Sequence, residues 1–592
     1  MSEVTARPEI CLNMIVRNEA HIVHEVLEVV APYITSWVIV DTGSDDGTPD
    51  VIRSHMANLG IPGELHERPW RNFGHNRSEA LTLAQGHGDY IWVMDADDTV
   101  VGTPDFGGLS ADVYNLRYGQ GAGFMYWRRQ LFRDGLRWRY EGVVHEYAVC
   151  DDPFVEERLD GEYYIDSRRL GARNLDPQKY ARDRDLLLAE VERNPDDGRS
   201  VFYLAQSYFD LCDFVNAREW YARRVDMGGW DEEVYCAMFR VAESMAQLGA
   251  PWPDVQDAYL RAWEFRPTRA EPLHAIAYRY RTDQRYRLGH LFAERAAEIP
   301  LPEEDTLFVG ADVYAWRAVD EQSVCASWTG KHMEAFMLCR HLLAGRDIPD
   351  DDRKRIAGNR DCSAPAVIEA ALSYPEVLAK SLIAGPRNSE VTVSLVAGPD
   401  RGATEQMLNS FLRSCVDVPR VGRFLVVNAG LSAEDRATLL ERYRFLEFRH
   451  SAPGDGPGAQ LAQIRGEIEG RFWLHLGEGW QFFAPERFIS RLTGVLEAEP
   501  EVFQVAINFG DAVKLTGVSA AENAVRRAAD AGRYVLADVV ASGPAMFETA
   551  RVDRAGGIDG TDRDPIAELG RRAAAAGLRT ASLDEVLCIA GV

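Results

Sequence analysis

The sequence lacks the features that mark membrane, secreted and metal-finger proteins. No apolar run approaches the roughly 20 residues that a membrane-spanning helix needs, and residues 1–8 lack the basic-then-apolar pattern of a signal peptide. The nine cysteines contain no Cys-x-x-Cys pair, which is typical of reduced core residues in an intracellular protein. We therefore expect a soluble, cytoplasmic protein without a membrane span.

Basic residues and glycine-rich nucleotide motifs are also scarce. With 65 basic against 92 acidic residues, the formal charge is −27, and such a surface repels nucleic acid and anionic lipid. Neither Gly-x-Gly-x-x-Gly nor Gly-x-x-x-x-Gly-Lys-Ser/Thr occurs, which disfavours dinucleotide-binding and phosphate-loop folds. The chain does have 592 residues with 46% hydrophobic content, enough for about three or four packed domains.

A buried strand that ends in acids is the most informative stretch. The apolar run Tyr90–Met94 predicts a strand buried on both faces, and three carboxylates follow within four residues. Because side chains alternate along a strand, we expect Asp95 and Asp97 on one side of its end, the rim where open α/β sheets bind ligands. Two such carboxylates favour a divalent cation. The alternative, that the acids only cap a turn, explains three of them poorly.

Strand and helix signals alternate through residues 1–170, which predicts right-handed crossovers and a largely parallel sheet. Strands are expected at 10–16, 37–40, 64–67 and 90–94, and helices at 20–30, from Thr48 onward and at 76–84. The loop after the second strand reaches the same rim, where Asp41 could accept a hydrogen bond from a base or a ribose. The alternative for this loop is an ordinary acidic turn.

Five arginines fall between residues 126 and 140: Arg128, Arg129, Arg133, Arg137 and Arg139. They indicate either a site for a phosphate-bearing ligand or an exposed face paired with Asp134, Glu141 and Glu146. His145 follows; a lone histidine is usually structural, but beside a carboxylate-bound metal it would be a fitting third ligand.

Several motifs occur in a fixed order over residues 8 to about 150: Arg17-Asn18-Glu19, Val40-Asp41-Thr42-Gly43-Ser44, Asp46-Gly47-Thr48, Asp95-Ala96-Asp97-Asp98 and His145-Glu146. This set resembles the family 2 glycosyltransferases of the GT-A fold, in the branch that includes the sublancin-type peptide S-glycosyltransferase. The resemblance implies a nucleotide-sugar donor, most often a UDP-sugar, a divalent cation on the Asp-x-Asp motif, and inversion at the anomeric carbon.

The resemblance also implies residue roles. Asp41 would bind the uracil, Asp95 the ribose or sugar, and Asp97 an Mn²⁺ or Mg²⁺ ion whose site His145 completes. Asn76-Arg77, in inverted order relative to the Arg-Asn pair of relatives, would face the diphosphate or donor sugar. The expected substrate-binding set is Asn18, Glu19, Asp41, Ser44, Asp45, Asn76, Arg77, Asp95 and Ala96.

Sugar transfer needs two further chemical elements. A divalent cation stabilises the charge that develops on the departing diphosphate. A carboxylate must accept the proton of the acceptor hydroxyl or thiol in an inverting enzyme. Glu141 and Glu146, close to His145 in the sequence, are the candidate bases.

Residues 171–388 show helical periodicity without strand signals. Ala205, Ala242 and Ala277 recur at spacings of 37 and 35 residues, a period close to that of tetratricopeptide helix pairs. Such an array could hold a peptide acceptor, mediate homodimerisation, or act as a spacer, and the sequence does not choose among these.

Residues 389–592 repeat the strand–helix alternation and predict a second GT-A-like domain. Asn428 occupies the place of Asp41, but Gly477-Glu478-Gly479 stands where the first domain has Asp95-Ala96-Asp97. A single carboxylate is a poor cage for a cation that prefers several oxygens, so this domain is predicted to be inactive.

The sequence therefore predicts an α/β GT-A-like domain, a helical repeat region and a second, degenerate α/β domain. The predicted activity is metal-dependent transfer of a sugar, with UDP-hexose as donor and a peptide, protein or glycan as acceptor. A non-catalytic tetratricopeptide scaffold that only binds nucleotide sugars is the rival, and a nucleotidyltransferase is disfavoured because no glycine-rich activating loop is present.

Overall fold

The computed structural model describes residues 7–120, 124–346, 348–382, 390–452, 454–516 and 519–591. The chain forms two compact units, one of residues 1–272 with 301–311 and the other of residues 273–300 with 312–592. The sequence-predicted boundary between residues 388 and 389 lies outside the described residues. Within these ranges no helix has both the length and the apolar character needed to cross a bilayer.

The first unit begins with an α/β domain built on a nine-stranded sheet. Its helices are α1 (Val23–Val30), α2 (Thr48–Leu59) and α3 (Phe73–Ala84). Its strands, with a separate β8–β9 hairpin, are β1 (Ile10–Val16), β2 (Ser36–Asp41), β3 (Gly63–Glu67), β4 (Tyr90–Val93), β5 (Asp98–Gly102), β6 (Val113–Gln120), β7 (Phe124–Arg133), β8 (Trp138–Glu141), β9 (Tyr147–Cys150), β10 (Glu156–Arg158) and β11 (Tyr163–Ser167).

The sheet is parallel in one half and mixed in the other. Its order is β3-β2-β1-β4-β7-β6-β11-β5, with β10 beside β6, and only β1 to β4 form a continuous parallel set. Beyond β4 the pairs β4–β7, β6–β7 and β11–β5 are antiparallel. The expectation of a largely parallel sheet thus holds for β1 to β4, whereas beyond β4 the antiparallel pairs stand beside the parallel pairs β6–β11 and β10–β6.

The middle of the chain is a helical array of the tetratricopeptide kind. Ala205, Ala242 and Ala277 lie in alternate helices and each is fully buried, as expected where paired helices approach closely. A π-helical turn, Val313–Arg317, precedes α12. The helices are α4 (Ala172–Leu175), α5 (Lys179–Arg193), α6 (Gly198–Asp210), α7 (Phe214–Met227), α8 (Asp231–Gln247), α9 (Trp252–Phe265), α10 (Glu271–Thr282), α11 (Tyr286–Ala297), α12 (Ala318–Trp328), α13 (His332–Ala344), α14 (Asp350–Ala371) and α15 (Glu376–Ser381).

The C-terminal part of the second unit is another α/β domain. Its helices are α16 (Arg401–Ser414), α17 (Ala433–Arg442), α18 (Pro457–Gly466), α19 (Phe488–Ala498), α20 (Thr549–Arg554) and α21 (Pro565–Ala575). Its strands are β12 (Val391–Ala397), β13 (Arg423–Asn428), β14 (Leu446–His450), β15 (Phe472–His475), β16 (Trp480–Phe482), β17 (Val502–Ala506), β18 (Arg526–Ala528), β19 (Gly532–Ala537), β20 (Ala545–Glu548), β21 (Arg579–Leu583) and β22 (Cys588–Ala590).

The two large sheets share the topology of seven strands. The second runs β14-β13-β12-β15-β20-β17-β21-β19-β18, and its first seven strands repeat the order and the parallel or antiparallel senses of the first sheet, whereas the eighth, β19, follows β17 in the chain and its counterpart β5 precedes β6. The strand pairing shows which positions of the two sheets are equivalent. Asn13 of β1 pairs with Val93 of β4, and at the same place in the second sheet Ser394 of β12 pairs with His475 of β15. Counting two residues on from Val93 and from His475 places Gly477 at the position of Asp95.

Candidate functional site

A cavity of about 800 Å³ opens at the carboxyl ends of β1 and β4. Asp95, Ala96 and Asp97 line it together with Asn18 and Glu19, so the acids that follow β4 do share one rim with the end of β1. The opposite lining comes from residues 171–189, which belong to α4, α5 and the residues around them. The cavity therefore combines the sheet domain with the first part of the helical region.

Asp95 is neutralised by two arginines. Its Oδ1 accepts a hydrogen bond from Arg77, and its Oδ2 lies 3.5 Å from Arg128. Burial disfavours the charged carboxylate, but Arg77 and Arg128 outweigh it and lower the pKa of Asp95 to about 2. Asp95 is therefore a fixed anion that is already paired on both oxygens.

Asp97 is held through one oxygen only. Its Oδ2 accepts hydrogen bonds from the Gly171 amide at 2.9 Å and from the Asn174 side chain at 3.3 Å. Its backbone carbonyl accepts one from Arg168 Nε at 3.0 Å. No residue in the described part of the chain binds Oδ1, so Asp97 lines the cavity with one carboxylate oxygen available for a ligand.

The Asn18-Glu19 pair bridges the ends of β1 and β2. Asn18 adopts a left-handed conformation (φ 59°), donates its amide to Ser44 Oγ at 2.8 Å and accepts the Asp45 amide on Oδ1 at 2.9 Å. The Glu19 carboxylate accepts the Ala172 amide at 3.2 Å. Burial and the nearby Asp97 carboxylate raise the pKa of Glu19 to about 7, although the hydrogen bond from Ala172 opposes the shift.

Asp41 lies on a second cavity, of about 580 Å³, which the loops after β2 and β3 form. Its Oδ1 accepts the amides of Gly43 and Ser44, both at 3.0 Å. Its Oδ2 is buried and has no hydrogen-bond partner within the described ranges. A buried, unpartnered carboxylate oxygen is costly unless a ligand donor reaches it.

Asn76 and Arg77 are both buried in α3 and differ in role. Asn76 fixes the chain before the helix, accepting the Arg71 amide at 2.9 Å and donating to the Pro69 carbonyl at 3.1 Å. Arg77 lines the first cavity, but its guanidinium is bound to Asp95 and, at 2.6 Å, to Glu146. The structure thus places Arg77 beneath the acids that follow β4.

His145 has φ 53° and stacks on Tyr203, with ring centroids 4.0 Å apart. The residue is exposed, and desolvation of the ring, followed by the charges of Arg173 and Arg199, lowers the pKa of His145. Asp95, Asp97 and His145 do not bring three ligand atoms within 4.8 Å of one another.

Across the described residues, three possible metal-ligand atoms lie within 4.8 Å of one another in the second unit, on His290, Glu294 and Glu334. The Lys331 ammonium lies 3.1 Å from Glu334 and 3.3 Å from His290 there, so an internal cation already balances this group.

The two candidate bases lie away from the lining of the first cavity. Glu141 is half-exposed, binds Arg139 at 2.7 Å and accepts the Tyr147 hydroxyl at 3.1 Å. It lines a third cavity of about 500 Å³, between the β8–β9 hairpin and α5–α6. Glu146 is occupied by Arg77. Their role as bases stays a prediction.

Two features of the site were not expected from the sequence. Asp98 is fully buried under Asp95 and accepts the Asp95 amide at 3.1 Å as well as the Tyr118 hydroxyl. Burial and the Asp95 charge raise the pKa of Asp98 to about 8. The contacts from Arg168 to Asn174 are the second feature. The run of three acids within four residues could have drawn attention to Asp98, whereas no local sequence pattern signals the contacts of residues 168–174.

The arginine-rich stretch is ion-paired. Four of its arginines contact carboxylates outside the Asp95 site: Arg129 with Glu156 at 2.7 Å, Arg133 with Asp112 at 3.5 Å, Arg137 with Asp152 at 2.6 Å, and Arg139 with Glu141 and Asp151 at 2.7 and 2.6 Å. The structure therefore favours the paired face over a dedicated phosphate site.

Residues 11–103 match the sequence model of glycosyl transferase family 2. This segment contains β1 to β4 and the acids Asp41, Asp95 and Asp97.

Comparison with individual proteins identified a TPR repeat-containing protein of Synechococcus elongatus, 33% identical over 96 residues, which are 16% of this chain. The match spans 22% of that relative's length.

Comparison with solved structures found partial matches. A mannosyltransferase from Pyrobaculum calidifontis in complex with GDP-Man and Mn²⁺ has 14% identity and a TM-score of 0.28, and the match covers 40% of this chain and 68% of that one. YrrB, a TPR protein with an unusual peptide-binding site, has 12% identity and a TM-score of 0.24, and the match covers 30% and 82% of the two chains.

Proposed function

We propose that this protein is a metal-dependent glycosyltransferase that moves a sugar from a nucleotide-sugar donor to an acceptor. The observation that carries the proposal is the position of the family 2 match. It falls on the four parallel strands whose ends carry Asp41, Asp95 and Asp97, beside cavities of about 580 and 800 Å³. Open α/β sheets bind their ligands at this rim.

The donor nucleotide is assigned to the Asp41 cavity. The unpartnered Oδ2 of Asp41 suits the ring N–H of a uracil, a thymine or a guanine, and the resemblance to family 2 favours uracil and thus a UDP-hexose among these. Gly43 and Gly47, with φ of 105° and 87°, allow the backbone of this loop to pass close to a ligand. Asn18, Ser44 and Asp45 hold the loop in place by the hydrogen bonds described above.

The cation is assigned to Asp97. Mg²⁺ is commonly held by one or two carboxylates together with substrate phosphates, so the Asp97 oxygen would supply one ligand and the donor phosphates others in the open cavity. The rim at Gly477 lacks that space because the Trp480 ring fills it. Mn²⁺ or Mg²⁺ there would supply Lewis-acid stabilisation of the departing diphosphate. His145 does not line this cavity, and its role as the second protein ligand is carried over from the family resemblance.

This chain's other residues have supporting roles in the proposal. Asp95, fixed by two arginines, binds the ribose or sugar hydroxyls through the accessible part of its carboxylate. Arg77 holds Asp95 and Glu146 in place. Glu141 or Glu146 accepts the acceptor's proton. Inversion follows if the acceptor oxygen or sulfur then attacks the anomeric carbon from the face opposite the nucleotide, which leaves as its diphosphate.

The remaining parts of the chain are assigned by the same proposal. Residues 1–170 form the catalytic domain, 171–388 the helical repeat region, and 389–592 a degenerate copy without catalysis. The acceptor is a peptide, protein or glycan held beside the helical region, and homodimerisation remains one role for that region. The shared sheet topology and the loss of acids at Gly477-Glu478-Gly479 support the degenerate copy.

The test combines binding with transfer. UDP-, GDP- and dTDP-sugars are screened by thermal shift with and without Mn²⁺, followed by donor hydrolysis or transfer assays with the nucleotide that stabilises the protein. Asp97→Ala should abolish both the Mn²⁺-dependent shift and turnover. Asp160→Ala removes an exposed acid away from the cavity and is the matched control.

Two results would contradict the proposal. Near-normal turnover by the Asp97→Ala protein would remove the metal assignment. Nucleotide-sugar binding by the wild type without any transfer or hydrolysis would instead favour the non-catalytic scaffold, a reading consistent with the full pairing of Asp95 by arginines.

A further inference from the structure

A segment outside the family 2 match contacts the acids of the cavity. Residues 168–174, between β11 and α5, supply four groups: Arg168 Nε to the Asp97 carbonyl at 3.0 Å, the Gly171 amide to Asp97 Oδ2 at 2.9 Å, the Asn174 side-chain amide to the same oxygen at 3.3 Å, and the Ala172 amide to both oxygens of Glu19 at 3.2 Å. Asp97 is therefore held from its main chain and its side chain by one segment.

The approach of this segment depends on Gly171. A Cβ at this position would lie 3.2 Å from Asp97 Oδ2 and 3.2 Å from Glu19 Oε1, closer than ordinary van der Waals contact. Gly171 has φ −63° and ψ 154°, which any residue can adopt, so backbone strain does not require glycine here. A methyl group at this position would instead press on the two carboxylates, which would have to shift by a few tenths of an ångström.

We propose that the 168–174 segment positions Asp97 and Glu19, and that the helical region thereby completes the active site. This inference rests on the proposed function. Hydrogen bonds to Oδ2 fix the orientation of the Asp97 carboxylate and direct Oδ1 to the cation that accompanies the donor diphosphate. Such groups do not touch the metal themselves but orient the carboxylate that binds it, and losing them weakens metal binding about 10- to 100-fold.

Asn174 extends the arrangement to the first long helix. Its Oδ1 accepts a hydrogen bond from Lys179 Nζ at 2.9 Å, and Lys179 begins α5. The same side chain thus joins Asp97 to α5, whose residues line the cavity opposite the sheet. If the helical region only separated the two α/β domains, it would have no reason to contact Asp97. The contact through Asn174 therefore indicates that α4 and the start of α5 form part of the site.

The experiment measures cation binding in the full-length protein, so that it does not depend on a known acceptor. Mn²⁺ is titrated calorimetrically in the presence of UDP and, separately, of GDP. Gly171→Ala tests the close approach and Asn174→Ala tests the side-chain hydrogen bond. Leu175→Ala is the control, because Leu175 follows directly, is 64% exposed and does not line the cavity. Thermal unfolding of each variant establishes that it is folded.

The expected result is that the Gly171 and Asn174 variants each bind Mn²⁺ about 10- to 100-fold more weakly than the wild type. The control should stay within about twofold. If Gly171→Ala lowers the unfolding temperature, Asn174→Ala decides alone, because its exposed side chain can be shortened without affecting the core.

The outcomes separate the inference from the proposed function. Wild-type affinity in both variants would overturn the inference and leave the proposed function intact. An equal loss in the Leu175 control would also overturn it, since the effect would then be a general disturbance of α4. Absence of Mn²⁺-dependent nucleotide binding in the wild type would refute the proposed function and this inference with it.

Discussion

Replacing Arg77 by methionine should destabilise the N-terminal sheet by an amount that the ion pairs allow us to state. The Arg77 and Glu146 side chains are 7% and 9% exposed and lie 2.6 Å apart. Removing one member of such a buried pair costs about 3–5 kcal/mol, because the other charge is left without a partner. Asp95 loses its contact with Arg77 but keeps Arg128 at 3.5 Å, so Glu146 is the carboxylate left without any arginine, and the lower end, about 3 kcal/mol, is expected.

The assay is native-state hydrogen exchange with mass spectrometry on the full-length protein, since peptides over residues 36–41 and 73–98 report local opening. About 3 kcal/mol corresponds to more than a hundredfold faster exchange in these peptides. Adding Glu146→Gln to Arg77→Met should recover at least half of the loss, because the uncompensated carboxylate is then gone. Arg137→Met, which breaks a largely exposed pair with Asp152, should change exchange little.

Two results would refute this reasoning. Exchange in the Arg77→Met protein within about threefold of the wild type would mean that the buried pair contributes nothing that methionine cannot replace. Failure of Glu146→Gln to restore protection would mean that the loss comes from packing around Arg77 and not from the unpaired charge.

Three further outcomes are expected. Asp41→Asn should weaken nucleotide binding about 10- to 150-fold in calorimetry, because a charged acceptor of 1.5–3 kcal/mol is lost; unchanged affinity would place the base elsewhere. The charges of Arg340 and Arg491 outweigh the effect of burial and hold the pKa of Glu585 far below its usual 4.5. The ionised carboxylate therefore stabilises the folded protein at pH values above 4.5, and this stabilisation is lost as the pH falls toward the folded-state pKa. Glu585→Gln should therefore be less stable at pH 7 but show a shallower acid-side loss between pH 5 and 3 in urea titrations. Gly74→Ala should lower the unfolding temperature by several degrees, because its Cβ would lie 2.4 Å from the backbone carbonyl of the β8–β9 turn.

The elements of the first sheet could be predicted from the sequence where burial imposes a strong pattern. The run at 10–16 is β1 without correction, and the apolar run at 90–94 contains β4 with the acids at its end. The predicted helix at 20–30 begins three residues later, at Val23, where the apolar spacing starts. Helix and strand periodicity thus located the rim on which Asp95 and Asp97 lie.

The partners of the site residues could not be predicted, because they depend on contacts distant in sequence. Arg77 is 69 residues from Glu146, and Gly171 is 74 residues from Asp97. Periodicity describes which face of an element is buried, but it does not say which distant group meets a given side chain there. The family resemblance implies that Arg77 faces the diphosphate or donor sugar, and this stays a prediction; the contacts of its guanidinium with Asp95 and Glu146 were not foreseen.

The C-terminal domain keeps the strand order of the first sheet but not the acids that follow β4. Asn428 Oδ1 accepts the amides of Gly430 and Leu431 at 3.1 and 2.8 Å, as Asp41 Oδ1 accepts those of Gly43 and Ser44, so the turn survives without the charge.

At the end of β15 the space is filled instead of open. Trp480 is 8% exposed, and a Cβ on Gly477 or Gly543 would lie 2.9 or 2.8 Å from its ring. A cation needs several oxygens and room for phosphate, and an indole at this position supplies neither. If the C-terminal domain is inactive for this reason, Asp97→Ala in the full-length protein should leave no residual Mn²⁺-dependent transfer, and any that remained would have to come from this second rim.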